Sequence, residues 1–162
     1  MRDENRVRKI LPVNLLLGRR PCLVVGGGNV AARKAGHLLD AGARVTVVSA
    51  AVNEAVAQWA KKRRLRHVPR NFRVGDVRGQ FLVFAATDDP AVNKHVLACC
   101  RKQEILCNAA DANWTRGDFV TPAICRKAGL IVTVSTGGRS CKTARIVKDK
   151  IARVIDTLAK TK

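Results

Sequence analysis

PCLVVGGGNVAARKAGHLLDAGARVTVVSA, from Pro21 to Ala50, decides the fold. CLVVG (Cys22 to Gly26) is a continuous apolar, β-rich run, as expected of a strand buried on both faces. From Asn29 to Ala41 the period becomes helical. Ala31, Ala35, Leu38, Leu39 and Gly42 share one stripe, Arg33, Lys34 and Asp40 lie off it, and Gly42 ends the helix. RVTVVS (Arg44 to Ser49) reads as a second strand. Between strand and helix, Gly26, Gly28 and Ala31 fit G-x-G-x-x-A. The first glycine serves the tight turn, the second the approach of a pyrophosphate, and the small third residue the packing of helix on strand. The helix N-terminus then offers backbone N–H groups to phosphate. About twenty residues on, an Asp or Glu commonly holds the ribose 2′-OH. Here Val48, Ser49, Ala50 and Ala51 stand there, which leaves Ser49 or backbone groups as candidates for that task and the choice between NAD and NADP open. No arginine at the strand end argues for a 2′-phosphate.

Outward from this stretch the alternation continues. Val52 to Arg63 reads as a helix with a basic end and LRHV (Leu65 to Val68) as a third strand. A loop follows, with turn residues Asn71, Gly75 and Gly79. FLVFAAT (Phe81 to Thr87) is the next strand. Pro90 opens a helix capped by Asp88 or Asp89 and running to about Gln103, and ILCNAAD (Ile105 to Asp111) is the fifth strand. Strands alternating with helices predict a parallel α/β sheet of Rossmann type. After Asp111 the pattern changes. FVTPAIC (Phe119 to Cys125) and LIVTVST (Leu130 to Thr136) read as a hairpin-like pair joined by Arg-Lys-Ala-Gly, with Pro122 marking an edge or irregularity. Ser140 then caps a last helix whose apolar stripe is Val147, Ile151, Val154, Ile155 and Leu158. Upstream, LPVNLLLG (Leu11 to Gly18) is a short apolar segment closed by a Gly-Arg-Arg turn. The expected division is a nucleotide-binding domain over residues 1–113 and a small α+β region over 114–162.

The chain has 162 residues, 47% of them apolar, enough for a core in one domain with a small appendage. Thirty-one Lys and Arg against twelve Asp and Glu give a net charge of +19, a field that draws polyanions. Nucleic acid is one such partner, but aromatics make up only 4%, Tyr is absent, and no nucleic-acid-binding module is recognisable. The six cysteines form no Cys-x-x-Cys pair, and Cys22, Cys99, Cys100 and Cys107 sit in apolar runs. Buried thiols in a reducing compartment are expected, with no metal site and no disulfide framework. The charged N-terminus has no apolar core of a secretory signal, and no run approaches membrane-spanning length, so the expected location is the cytoplasm.

Several separated pieces carry a family resemblance between about Leu11 and Val154. They are the opening stretch, FLVFAATDDPAVNKHV, ILCNAADA, DFVTPAI and VTVSTGGRSCKTARIVKDKI. Together they resemble the dehydrogenase–chelatase module of siroheme synthases, the precorrin-2 dehydrogenase family. The resemblance implies NAD-dependent oxidation of precorrin-2 to sirohydrochlorin and, in some members, insertion of ferrous iron to give siroheme. It implies that Asp111 is the key acid, able to take the proton that accompanies hydride loss. It also implies that Asn29 and Val30 lie at the pyrophosphate, Ala50 and Ala51 near the adenosine, and Thr136 near the active site, in a homodimer sharing its cleft. Thr87, Asp88 and Asn93 are candidate cofactor neighbours or caps, and Asn108 orients its loop beside the substrate. The Gly137-Gly138 pair permits close approach of substrate or partner. Precorrin-2 carries eight carboxylates, which suits the charge, and Arg116, Arg139, Lys142 and Arg145 are candidate partners for them. Two departures stand out. Ser140-Cys141 occupies the place of the usual Ser-Pro, and relatives commonly continue into a helical domain after the last helix while this sequence stops at Lys162, so the chelatase expectation is weaker than the dehydrogenase one. The competing expectation is a non-catalytic nucleotide-sensing domain that regulates a partner.

Overall fold

The computed structural model describes residues 10–111 and 116–160, with side chains through Leu158. Five parallel strands form the main sheet: β1 (Pro21–Val25), β2 (Arg44–Val48), β3 (Arg66–Val68), β4 (Leu82–Ala85) and β5 (Leu106–Ala109), in the order β3-β2-β1-β4-β5. Helices α1 (Asn29–Asp40), α2 (Glu54–Lys61) and α3 (Pro90–Arg101) make the crossovers. The chain winds outward from β1 through β2 to β3, then returns to the other side of β1 as β4. The strand order therefore reverses between β1 and β4, and a crevice opens there at the carboxyl ends of the strands.

Two apolar layers explain why these runs are strands. Along β1, Cys22 and Val24 join one core with Ala31, Ala35, Leu38 and Val56 from α1 and α2. Leu23 and Val25 join the other with Val96, Leu97 and Cys100 from α3. Phe84 and Val83 divide in the same way on β4. A period-2 backbone with both faces covered requires a continuous apolar run, which is what the sequence supplies.

The sheet expected from the sequence is present, with adjustments at its edges. α2 is shorter than Val52 to Arg63 because Asn53 caps it, accepting from Val56 N–H at 3.1 Å. α3 starts at Pro90 and is capped by Asp89, which accepts from Ala91 and Val92 N–H at 2.7 and 3.4 Å. Residues Val74–Val77, read as loop, form a 3-10 turn packed on α3. Leu11 to Gly18 forms no strand, and Leu11 and Leu16 are exposed, while Leu17 inserts into the core.

The described chain divides into two compact units, one within Leu15–Phe119, which holds the sheet, and a second made by residues 120–160 with residues 10–14. The second contains an antiparallel hairpin, β6 (Ala123–Lys127) and β7 (Leu130–Val134), and α4 (Cys141–Lys160). β6 begins after Pro122 rather than at Phe119, since proline has no N–H to give to a ladder. The turn is shorter than expected: Ala128 and Gly129 both adopt positive φ, 49° and 76°, the left-handed backbone that two-residue hairpins need. Ser140 caps α4, its Oγ accepting from Thr143 N–H at 3.1 Å.

A candidate dinucleotide site at the sheet's switch point

A cleft of about 740 Å³ lies at the carboxyl ends of β1, β2 and β4, within the roughly 300–1,000 Å³ usual for ligand clefts. It gathers Gly26, Gly28, Ser49, Ala50, Ala51, Thr87 and Asp88, residues singled out in the sequence but dispersed along it. Asn29 and Val30 follow as the first two residues of α1.

The floor is built by backbone approach. Gly26 has φ 122°, and a Cβ there would lie 2.2 Å from the Ala86 carbonyl oxygen. Gly27, which the glycine pattern leaves unspecified, is equally constrained: a Cβ would stand 1.9 Å from the Ala51 carbonyl oxygen. These two glycines let the β1 turn nest against the ends of β2 and β4. Gly28 differs. Nothing lies within 4 Å of the place its Cβ would take, and as N-cap it offers no side chain to the helix. The first N–H groups of α1 thus have no side-chain cap beside an open cleft, an arrangement that receives phosphate oxygens. A dinucleotide's pyrophosphate fits these donors.

At the β2 end, Ser49 Oγ donates to the Ala51 carbonyl at 2.7 Å, which leaves its lone pairs to accept. His67 Nε2 donates to the Ser49 carbonyl at 3.0 Å. Asn53 bridges this turn to the glycine loop: its N–H donates to the Gly27 carbonyl at 2.8 Å and its Nδ2 to Asn29 Oδ1 at 3.1 Å. Asn71 and Phe72 form a further wall that the sequence did not reveal. That wall is held by a two-pronged ion pair, Arg70 Nη1 to Asp76 Oδ2 at 2.8 Å and Nη2 to Oδ1 at 2.6 Å. The Arg70 guanidinium bonded to it holds the Asp76 carboxyl below the usual carboxylate range, and the Arg73 N–H adds to this, against the opposing effect of burial. Among the described residues no Lys or Arg lines the cleft, while Asp88 and Asp89 do.

One buried side chain joins the cofactor loop to the candidate acid. Asn93, fully buried on α3, accepts at Oδ1 from the Thr87 N–H at 3.1 Å. The Thr87 hydroxyl lies 2.9 Å from the same oxygen. Its Nδ2 donates to the Thr87 carbonyl at 2.9 Å and to Asp111 Oδ2 at 2.7 Å. Asp111 follows β5, which the Ala110 N–H ties to the Ala85 carbonyl at 2.8 Å. The carboxylate at the end of β5 and the loop after β4 are therefore one hydrogen-bonded assembly. A cap or a cofactor neighbour was the sequence's reading of Asn93. The missed signal was a carboxamide on the helix face that carries Val96, Leu97 and Cys100.

The other candidates fall elsewhere. Asn108 is 4% exposed and its Nδ2 donates to the Phe119 carbonyl at 2.7 Å, tying β5 to the segment that follows. Arg116 is exposed and its carbonyl accepts from Arg101 at 3.3 Å. Thr136, Gly137 and Arg139 belong to the unit from Val120 on. There the Thr136 hydroxyl accepts from the Ser140 N–H at 2.9 Å, Gly137 and Gly138 adopt φ of 64° and 84°, and Arg139 Nε donates to the Thr136 carbonyl at 3.2 Å. Among the described residues no group of three or more His, Cys, Asp and Glu side chains is placed to hold a metal ion.

A parallel sheet wound in this order, with a glycine turn and an uncapped helix N-terminus at the point where the order reverses, defines a Rossmann-type dinucleotide-binding protein. A family described as putative NAD(P)-binding matches residues 13–123. Siroheme synthases of Photobacterium profundum and Methylococcus capsulatus are 39% and 42% identical to the chain, each over 145 residues. The match covers 90% of this chain but 31% and 30% of those proteins. The chain thus spans about a third of the length of these relatives. A solved precorrin-2 dehydrogenase, SirC, superposes with a TM-score of 0.78 at 32% identity, covering 89% of this chain and 70% of that one. The chain belongs to this NAD(P)-binding family, that of the precorrin-2 dehydrogenase modules.

Proposed function

We propose that the chain is an NAD-dependent precorrin-2 dehydrogenase that yields sirohydrochlorin on the route to siroheme. The observation that carries this reading is the Thr87–Asn93–Asp111 assembly, which sets a carboxylate beside the dinucleotide cleft. When bound, NAD supplies the hydride acceptor. The chain's own residues do the rest. The α1 N-terminus and the glycine turn seat the pyrophosphate, and the turn at Ser49–Ala51 meets the adenosine ribose. Among the described residues of the cleft lining, Asp88 and Asp89 are the charged groups and no Lys or Arg stands ready for a 2′-phosphate, which favours NAD over NADP. Asp111, held by the Asn93 amide, accepts the proton released from the macrocycle as the hydride departs. Excess positive charge attracts a substrate bearing eight carboxylates, and Arg116, Arg139, Lys142 and Arg145 are its proposed partners.

Anaerobic incubation with precorrin-2 and NAD tests this, and NADH and the sirohydrochlorin chromophore should rise together. Asp111→Ala should lower turnover by about 10²–10⁴-fold while NAD still binds. Wild-type turnover in that variant would remove Asp111 from its role, and dinucleotide binding without any turnover would leave a nucleotide sensor. Insertion of ferrous iron would ask the same carboxylate to receive pyrrole protons. Ferrous ion added once NADH formation has ended tests that second step.

Two further parts of the reading concern assembly and place. We infer a homodimer formed through the unit from Val120 on, whose surface carries Leu130, Ile131, Val154 and Leu158 at 53–66% exposure. Action in the cytoplasm fits the free cysteines, five of them buried. Among the described residues no helix is long and apolar enough to cross a membrane.

A further inference from the structure

A second cleft, of about 670 Å³, opens at the amino-terminal ends of β1, β2 and β3, the end of the sheet opposite the dinucleotide cleft. Its lining inverts the charge of the first. Arg44, Arg63, Arg64 and Arg66 surround it and, among the described residues, no Asp or Glu does. We propose that this cleft binds a small polyanion, a molecule with two or more phosphate or carboxylate groups, at a site separate from the cofactor and the macrocycle.

The arginines start from fixed backbone. Arg44 pairs with Pro21 on β1, and Arg66 pairs with Thr46 on β2, so two of them begin adjacent strands of one sheet. Arg63 and Arg64 close the end of α2, their N–H groups donating to the Ala60 and Trp59 carbonyls at 2.9 Å each. Arg63 holds φ at 54°, a left-handed conformation that turns the chain sharply into β3. Among the described residues none of the four side chains forms a salt bridge; the ion pairs present engage Arg70, Lys127 and Lys148. Like charges gathered without counter-charge repel one another, and a bound anion relieves that repulsion. Guanidinium forks match phosphate and carboxylate oxygens two at a time. Between them Val45, Ala60 and Leu65 give the cleft an apolar wall, which strengthens the field inside it.

Two features narrow the ligand. Gln80 Oε1, in the lining, is buried without a hydrogen-bond partner. It is an acceptor suited to a hydroxyl or a protonated oxyacid. Among the described residues no aromatic side chain lines the cleft to stack on a base. A compact oxyanion fits better than a nucleotide or a nucleic-acid strand.

The test is calorimetric titration of the whole chain at near-physiological salt. Tripolyphosphate and citrate serve as phosphate and carboxylate probes, each with and without saturating NAD. One saturable site is expected, unaffected by NAD, and the tighter probe assigns the anion class. The triple variant Arg63→Gln/Arg64→Gln/Arg66→Gln should weaken binding by about tenfold or more, while Arg33→Gln/Lys94→Gln/Arg126→Gln, which loses the same charge elsewhere, should weaken it by only about twofold. Retained NAD binding shows that each variant is folded. Equal weakening in both triple variants, competition with NAD, or titration without saturation would overturn the proposal. None of these outcomes touches precorrin-2 turnover, so the dehydrogenase reading stands or falls separately.

Discussion

Asn93 is the residue on which most of the site turns, because its buried carboxamide joins the half-buried Thr87 and Asp111. Replacing it by Ala removes the hydrogen bonds that the Thr87 N–H and carbonyl and the Asp111 carboxylate make to it. Each buried polar group left unpaired costs about 1–3 kcal/mol. Asn93→Ala is therefore expected to lower stability in urea by about 2–4 kcal/mol and to lower kcat more than it raises the KM for NAD. A purely structural Asn93 would lower the amount of folded enzyme but leave the pH profile of the remainder unchanged, whereas a positioning role for Asp111 shifts that profile. Gly27 makes the complementary case. Its Cβ cannot coexist with the Ala51 carbonyl 1.9 Å away, so Gly27→Ala must displace the Ser49–Ala51 turn and weaken NAD binding. Gly28→Ala meets no protein atom and should fold normally, with its effect confined to the dinucleotide. Calorimetric NAD titration beside thermal melting separates the two. The glycine pattern in the sequence marks Gly26 and Gly28, but Gly27's constraint comes from a residue twenty-four positions on, which no local pattern shows.

At the scale of elements, β1 and β4 were legible because each lies in a continuous apolar run bounded by turns. α3 and α4 were legible because Asp89 and Ser140 stand where caps are needed, whereas Asn53, the cap of α2, was read as part of that helix. Three features were not. Val74–Val77 is too short for a periodic signal and is held by side chains, above all Asp76, which accepts from the Arg73 N–H at 2.8 Å as well as from Arg70. Leu11 to Gly18 is apolar by composition but only Leu17 finds a core. The wall formed by Asn71 and Phe72 has no motif, since the Arg70–Asp76 pair that positions it depends on the fold of the loop. This clip has a pH signature. The Asp76 carboxyl titrates below its unfolded value, so its contribution to stability is complete above about pH 4–5 and lost as pH falls through the lowered folded value. The difference in melting temperature between the wild type and Asp76→Asn should accordingly be constant near neutrality and shrink in acid. A difference that grew below about pH 4 would contradict the role given to this pair.

For the whole molecule, the unit holding the sheet and the unit from Val120 on differ in how much core each owns. The first has two apolar layers drawn from five strands and three helices. In the second, among the described residues, only Cys125, Ala144 and Ile155 are buried apolar side chains, while Leu130, Ile131, Ile146, Val147, Val154 and Leu158 are exposed. The helical stripe in the sequence named Val147, Val154 and Leu158 of this surface, but a stripe does not say whether it faces its own sheet or another chain. The answer lies in how little of it the hairpin covers. An apolar surface of this extent, on a unit with so small a core, suits association with a second copy, for which a stable interface buries about 1,200–2,000 Å² in all. Val154→Asp combined with Leu158→Asp places two carboxylates on the outward side of α4 and removes no buried side chain. If the proposed dimer forms here, sedimentation should shift from dimer to monomer, while the far-UV spectrum and NAD affinity stay those of the wild type because the glycine cleft lies wholly within residues 25–95. Turnover should fall with the loss of dimer, since Thr136 and Arg139, proposed substrate contacts, belong to the same unit as α4. A variant that remained dimeric would move the interface to another surface, and one that became monomeric with full turnover would show that a single chain completes the substrate cleft.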